Sequence, residues 1–216
     1  MLELLLKVVA AYLLGSVMGA MVLGPLLGAP DIRREGSGNA GATNALRTRG
    51  ARFGAMVAAV DVAKGVLAVA LIPVIPLPGL ESIADPRWVQ VLCGVAVVLG
   101  HIWPIWHRFQ GGKGAATLVG VLAVIEPMVL IPVLGVWVLI LVFTGYVGLA
   151  TVLAALVAPI YAVWETGGDL SSPLVTLTLA MALTVAYTHR GNISRLARGE
   201  EHRFERAMIF RRGGSS

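Results

Sequence analysis

Long apolar segments are the feature that most restricts the fold of this chain. Seven of them approach or reach the ~20 mainly apolar residues that a helix needs to cross a bilayer. Because 57% of the 216 residues are hydrophobic and 13% are charged, against about 25% charged in soluble domains, we predict an all-α polytopic membrane protein. The seven predicted transmembrane helices, five or six if the two short central ones merge or re-enter, are Leu2–Leu23, Phe53–Ile75, Trp88–Ile105, Ala115–Ile125, Pro127–Phe143, Tyr146–Val163 and Pro173–Tyr187.

Basic residues are distributed unevenly between the connecting segments. They collect in 31–52, in 107–113 and after Thr188, whereas 78–87 and 164–172 are mainly acidic. The positive-inside rule places the basic segments in the cytoplasm, so an odd number of spans predicts an external N-terminus and a cytoplasmic C-terminus. One integral membrane domain, 1–216, accounts for the length, and 190–216 is predicted to be a basic cytoplasmic tail.

The net charge of +5 favours anionic headgroups and phosphorylated metabolites on this face, and no motif indicates nucleic acid. No group of His, Cys and acidic residues has the spacing of a metal site, and no nucleophile elbow occurs. Single Cys93 cannot form an intrachain disulfide. The chemistry is therefore expected to depend on positioning and electrostatics.

The first of three polar islands is the glycine-rich stretch 36–47, interpreted as one loop. Small residues allow close backbone approach to a ligand, and Arg47 offers a guanidinium fork for phosphate. The second island runs from Gly100-His101 to Thr117, and within it Gly111–Gly114 precedes a helix, so amide groups, the helix dipole and Lys113 can attract an anion. Its spacing does not match a nucleotide-binding P-loop, since Gly114 replaces the required hydroxyl residue.

The third island, His189 to Arg195, closes the last predicted span. His189 is a candidate general base or phosphate ligand because its ordinary pKa lies near neutrality. Asp61 and Lys64 lie on one face of the second span, where charges are costly unless paired or functional. They are expected to form a structural pair or to support the first island.

The islands resemble, in order and spacing, the bacterial acyl-phosphate-dependent glycerol-3-phosphate acyltransferases, the PlsY family. The resemblance rests on Gly15-Ser16, Asp31-Ile32-Arg33, Gly36–Asn39, Gly41–Asn44, Arg47, Asp61–Gly65, Gly100-His101, Gly111–Gly114, Ala116-Thr117, His189-Arg190 and Asn192-Ile193. It implies acyl transfer from acyl phosphate to the 1-hydroxyl of glycerol 3-phosphate, giving lysophosphatidic acid and phosphate, the first step of phospholipid synthesis. It further implies no cofactor or metal, a place in the bacterial cytoplasmic (inner) membrane with a cytoplasmic active site, and a link to the synthase that forms acyl phosphate.

The resemblance also implies roles for individual residues. Arg47 would clamp a phosphate, Lys113 would stabilise charge on the reacting carbonyl, and His189 and Asn192 would orient the glycerol. The expected catalytic residues are Ser37, Arg47, Lys113, His189 and Asn192. The expected substrate-binding residues are Gly36, Gly38, Asn39, Thr43, Asn44, Gly111, Gly112, Gly114 and Thr117.

Three positions depart from the family pattern. Gly145 and Gly148 stand where an arginine and a substrate-pocket serine are usual, and Gly191 where a glutamate is common. On the sequence alone, Gly148→Ser is therefore expected to raise activity toward glycerol 3-phosphate. The departures leave open a paralogue with another acceptor or without catalysis. A transporter of a phosphorylated metabolite is a further alternative, although no inverted repeat indicates one.

Overall fold

The computed structural model describes residues 1–28, 31–80 and 84–209, and within these ranges the secondary structure is entirely helical. The all-α prediction is confirmed. The α-helices are α1 (Leu2–Gly15), α2 (Gly19–Leu26), α3 (Ala42–Ala70), α4 (Pro86–Ile102), α5 (Ala115–Ile125), α6 (Leu130–Thr144), α7 (Val147–Glu165), α8 (Pro173–Thr188) and α9 (Arg190–Ala197). Glu81 of the acidic segment 78–87 and residues 210–216 of the predicted tail lie outside the described residues.

Four helical stretches are long and apolar enough to cross a membrane: Ala42–Val74, Pro86–His107, Pro127–Thr144 and Val147–Glu165. The pair α1 and α2, bent by 44°, meets the same test together and would give a fifth span. Helices α5 and α8 are apolar but shorter. These elements correspond to the seven predicted segments, while the count of seven spans and the orientation of the termini stay predictions.

The described residues form two compact units, Met1–Glu126 and Pro127–Ser216. In the first unit α1 packs against α4 and α3 packs against α5. Gly15 and Gly100 bring the backbones of α1 and α4 together, since a Cβ atom at either would collide with a carbonyl oxygen of the facing helix. Such close contact through small residues is the usual way in which membrane helices pack.

The break between α1 and α2 is held by a buried ion pair from the middle of α3. The Nζ atom of Lys64 donates to the carbonyl oxygens of Gly15 and Val17, each at 2.8 Å. The Oδ1 atom of Asp61 accepts from the amide of Gly19 at 3.3 Å and lies 3.1 Å from Lys64 Nζ. A broken helix leaves backbone groups unsatisfied, and lipid cannot satisfy them. The pair therefore has the structural role that was one of its two expected roles.

The glycine-rich stretch 36–47 is not one loop, because helix α3 already begins at Ala42. Gly50, at φ 84° and ψ 176°, then breaks this helix into a short first segment and the long apolar one. The first segment folds back so that Leu46 packs on Gly54, where an added Cβ would lie 2.7 Å from the Leu46 Cβ. The polar residues of this segment hid the helix from a hydropathy argument.

In the second unit α7 packs against both α6 and α8. The segment after α9 returns to the α6–α7 turn, where the amide of Phe204 donates to the Gly145 carbonyl at 2.8 Å and Arg203 Nε donates to the Tyr146 hydroxyl at 2.7 Å. The predicted tail 190–216 thus begins as a helix, and its residues up to 209 include contacts with the unit.

Candidate active site

Asn44 organises the first polar island from the first turn of α3. Its buried Nδ2 group donates to the carbonyl oxygens of Ile32 and Asn39 at 2.9 Å and of Glu35 at 3.1 Å, and its Oδ1 atom accepts from the amide of Ser37 at 2.9 Å. The side chain is thus occupied with the loop backbone. It shapes the segment that carries Ser37 and Asn39 rather than presenting its own amide to a ligand.

Two glycines make this tight path possible. Gly36 and Gly38 have φ angles of 57° and 71°, in the left-handed region that favours glycine. A Cβ atom at Gly36 would also collide with the Asn44 Oδ1 atom. Thr43 is exposed on the first turn of α3, whereas Arg47 is half-buried one turn later. The backbone therefore leaves Ser37 and Thr43 accessible while Asn44 is enclosed.

Arg33 links this island to the 107–110 turn of the second one. Its guanidinium is paired with Asp31, and its Nη1 atom donates to the carbonyl oxygens of His107 at 3.2 Å and Gln110 at 3.3 Å. The hydrogen bonds from Arg33 lower the pKa of the Asp31 carboxyl below its ordinary value, so the pair stays ionised near neutral pH. The structure thus brings the first and second islands next to each other in the first unit.

The glycine turn 111–114 of the second island packs on His101, a buried residue near the end of α4. The amide of Gly112 donates to the His101 carbonyl at 3.1 Å, and a Cβ atom at Gly112 would collide with the imidazole Nε2 atom. The imidazole Nδ1 atom lies 3.4 Å from Asp61 Oδ1, which connects the seat to the ion pair at the α1–α2 break. The Gly112 amide, which was expected to bind an anion, thus already donates to a carbonyl oxygen of the protein.

Helix α5 begins directly after this turn. Gly114, at φ 87°, caps its N-terminus, and the half-buried Lys113 precedes the cap. Amides in the first turn of a helix have no acceptor within the helix, and the dipole there favours negative charge. Thr117 lies in this first turn, fully buried, and its Oγ1 atom has no hydrogen-bond partner among the described residues. The start of α5 therefore has the chemistry of an anion site.

His189 and Asn192 belong to the second unit, at the junction of α8 and α9. The Nδ1 atom of buried His189 lies 2.9 Å from the Val185 carbonyl, which can only accept, so Nδ1 carries the proton and Nε2 is an acceptor in the neutral ring. The Asn192 Nδ2 group donates to Glu201 Oε1 at 2.6 Å, and Arg195 Nε donates to Glu201 Oε2 at 2.8 Å. The Glu201 carboxylate thus fixes Asn192.

Gly148, near the start of α7, faces Asn192 directly. A Cβ atom at this position would lie 2.7 Å from the Asn192 Cβ and 2.9 Å from its Cγ and Nδ2 atoms. A serine would need Asn192 to move. The geometry therefore predicts that Gly148→Ser disturbs Asn192, whereas the sequence alone led us to expect a gain of activity.

Sequence reasoning missed three contributors to the site: the bridge by Arg33, the seat provided by His101, and the carboxylate of Glu201. The sequence shows Arg33 and His101 only as members of motifs. Glu201 had one usable signal, since it is an acidic residue in a strongly basic segment. The Arg33 bridge and the contact of His101 with Asp61 join residues distant in the sequence, whereas Glu201 lies nine residues from Asn192.

Apolar helices and glycine-rich, basic turns define the class of this molecule, an integral membrane protein with candidate anion-binding turns. The family model for glycerol-3-phosphate acyltransferase matches residues 5–199. Curated relatives named glycerol-3-phosphate acyltransferase are 39% identical over 202 residues in Burkholderia pseudomallei strain 1710b, covering 94% of this chain and 96% of the relative. The corresponding protein of Bordetella pertussis strain Tohama I is 40% identical over 200 residues, covering 91% and 89%.

Two solved structures are similar as well. They are crystal structures of PlsY (YgiH), an integral membrane glycerol 3-phosphate acyltransferase, in a glycerol 3-phosphate form and a lysophosphatidic acid form. The first has a TM-score of 0.79 at 34% identity, the second 0.77 at 33%, and each comparison covers 93% of this chain and 95% of the other. The chain belongs to the glycerol-3-phosphate acyltransferase family, which confirms the resemblance and the predicted membrane fold class.

Proposed function

We propose that this chain acylates the 1-hydroxyl of glycerol 3-phosphate to give lysophosphatidic acid, and that the acyl donor is a fatty acyl phosphate. Family membership supports the acceptor and product, since the similar structures are a glycerol 3-phosphate form and a lysophosphatidic acid form of a relative. The acyl phosphate donor is the finer part of the proposal. It comes from the family resemblance and from the need to hold two phosphates close together.

The observation that carries the proposal is the connection between two basic, glycine-rich turns in the first unit. Arg33 ties the segment leading to Ser37 and Arg47 to the turn leading to Lys113. Each turn places a cation beside small residues, and the start of α5 adds first-turn amides that have no acceptor within the helix, which suits a phosphate group. Two such sites suit a reaction in which one substrate is a phosphate ester and the other an acyl phosphate.

In the proposed reaction, the glycerol hydroxyl oxygen attacks the acyl carbonyl carbon. A new carbon–oxygen ester bond forms, the bond between the carbonyl carbon and the phosphate oxygen breaks, and the hydroxyl proton goes to the leaving phosphate. Lys113 and the start of α5 stabilise negative charge on the carbonyl oxygen and the leaving group. Arg47 holds a phosphate and lowers the entropic cost of bringing the substrates together.

The family resemblance also assigns residues to the alcohol. His189 and Asn192 would hydrogen-bond the glycerol, with the neutral His189 Nε2 atom accepting from a hydroxyl group. Because the leaving phosphate takes the proton, this assignment requires no strong general base. We further propose that the whole chain acts as one domain in the bacterial inner membrane, with the site facing the cytoplasm and supplied by the synthase that makes acyl phosphate.

The test is product formation by purified protein in lipid, given palmitoyl phosphate with or without glycerol 3-phosphate. Acceptor-dependent phosphate release together with lysophosphatidic acid is the expected result. Palmitoyl-coenzyme A as an alternative donor controls for the acyl phosphate, and it should give no product. Phosphate release without dependence on the acceptor would instead indicate hydrolysis or another acceptor, and no release would reject catalysis. Uptake of glycerol 3-phosphate into sealed vesicles would then test the transporter alternative.

A further inference from the structure

We propose that Asp31 and Arg33 are positioning residues that set the place of Lys113 relative to the segment bearing Ser37 and Arg47. This inference rests on the proposed function, because it assigns Lys113 to the reacting groups. Neither Asp31 nor Arg33 needs to touch a substrate. Their role is to hold two turns, distant in sequence, in one arrangement.

The Asp31 carboxylate fixes the orientation of the Arg33 guanidinium. Arg33 Nε lies 3.0 Å from both carboxylate oxygens, and Nη2 lies 2.6 Å from Oδ2. Such multiple, charge-assisted bonds set the plane of the guanidinium as well as its position. With Nε and Nη2 engaged, Nη1 is aimed at the turn that follows α4.

The target of Nη1 is the most strained part of that turn. Arg108 and Phe109 have φ angles of 56° and 58°, which are unfavourable for residues other than glycine. Arg33 Nη1 donates to the carbonyl oxygens of His107 and Gln110, the residues on either side of this pair. One guanidinium nitrogen therefore bridges both ends of the strained pair and stabilises a backbone that is unfavourable by itself.

Lys113 lies three residues after Gln110, so a change in the position of Gln110 bears on the lysine. Gln110 leads directly into Gly111 and Gly112, and the Gly112 amide is fixed to the His101 carbonyl. On the other side, Ile32 lies between Asp31 and Arg33 in the sequence. Its carbonyl oxygen accepts from Asn44, which shapes the Ser37 turn. Gln110 and Gly112 are thus two fixed points just before Lys113, and without the hold on Gln110 the position of the lysine depends on the Gly112 contact alone.

The test compares Arg33→Gln, Arg33→Lys and Asp31→Asn. The lysine variant keeps the charge but cannot form the fork, and the asparagine variant keeps Arg33 but loses its orienting carboxylate. The pair is partly solvated, with side chains 23% and 29% exposed for Arg33 and Asp31, so these changes should leave the protein folded. Arg34→Gln controls for loss of a neighbouring exposed charge. Arg49→Gln controls for loss of an ion pair, since Arg49 lies 2.6 Å from Glu35 in the same region with similar exposure.

Two measurements are made on each variant in lipid. Hydrogen–deuterium exchange of the peptide covering 107–112 should rise in the three Arg33 and Asp31 variants and stay at the wild-type level in both controls. Acyl transfer should fall by about tenfold to a hundredfold in Arg33→Gln, mainly in kcat, as expected when a catalytic group shifts by on the order of 1 Å. Arg33→Lys should fall in the same direction.

Unchanged exchange in Arg33→Gln would overturn the proposal. So would full activity in Arg33→Lys, because the charge alone would then suffice, or a loss in Arg33→Gln no larger than in Arg34→Gln. A wild-type protein that forms no lysophosphatidic acid would count against the proposed function instead. In that case the exchange comparison would still decide whether Arg33 fixes this turn.

Discussion

Replacing Gly148 by serine is expected to lower the rate of acyl transfer, although the family pattern has a serine there. The new Cβ atom would lie 2.7 Å from the Asn192 Cβ, short of an ordinary 3.4 Å contact by about 0.7 Å. Asn192 would have to move, and its 2.6 Å bond to Glu201 would stretch or break. A hydrogen bond to a charged group contributes about 1.5–3 kcal/mol. If that energy is lost from the arrangement that binds the transition state, the rate falls about tenfold to a hundredfold.

The assay is kcat/KM for glycerol 3-phosphate in lipid, measured for Gly148→Ala and Gly148→Ser. Alanine introduces only the Cβ atom, so it isolates the steric effect from any contribution of the hydroxyl group. Gly135→Ala is the matched control, since Gly135 is also helical, lies in the same unit and has nothing within 4 Å of an added Cβ. It should leave activity and stability near the wild-type values.

A rate in Gly148→Ser at or above the wild-type rate would refute this reasoning. It would mean that Asn192 can move without cost, or that a serine hydroxyl supplies a substrate contact worth more than the one it displaces. A parallel loss in Gly135→Ala would show instead that α6 and α7 tolerate no added volume, and would remove the special role of the Asn192 contact.

Three further outcomes are expected. Lys113→Ala and Arg47→Ala should lower turnover by about a hundredfold or more with thermal unfolding in detergent unchanged, and wild-type rates in both would reject the phosphate-binding assignment. Lys64→Ala should destabilise the protein by about 3–5 kcal/mol, because it leaves the Asp61 carboxylate buried without its cation; an unchanged melting temperature would contradict this. Gly112→Ala should abolish acyl transfer by forcing the turn off the His101 imidazole, and an active variant would show that this seat is dispensable.

The sequence predicted best those parts of the fold that depend on apolar length alone. The predicted segment Pro173–Tyr187 differs from α8 by one residue, and Ala115–Ile125 matches α5. Helix α3 begins at Ala42, eleven residues before the predicted start at Phe53. Its first turns carry polar residues that a hydropathy argument assigns to loops, and the break at Gly50 separates them from the apolar part.

Candidate site residues were predictable where a residue type itself suggests a ligand. Lys113 at the start of a helix and Arg47 beside a glycine-rich turn are candidates of this kind, and their roles stay predictions. The supporting residues were not predictable, since their roles come from packing between distant segments. Arg33 reaches across 74 residues to His107, and His101 meets Asp61 only because α3 and α4 pack together.

The resemblance implies departures from the family pattern at Gly145, Gly148 and Gly191. These positions differ in how strictly their surroundings require glycine. Gly145 adopts φ 74° at the end of α6, and an added Cβ would lie 2.9 Å from the Met208 Sδ atom, so an arginine there would be strained. Gly148 makes room for Asn192. At Gly191 an added Cβ would meet only an Arg195 atom at 3.7 Å, so nothing in its surroundings requires glycine.

Gly145 and Gly148 thus each fit the side chains around them within the second unit. The Glu201 carboxylate holds Asn192 and Arg195 together. These contacts hold Asn192 in one orientation, as the proposed role of Asn192 in binding the glycerol requires.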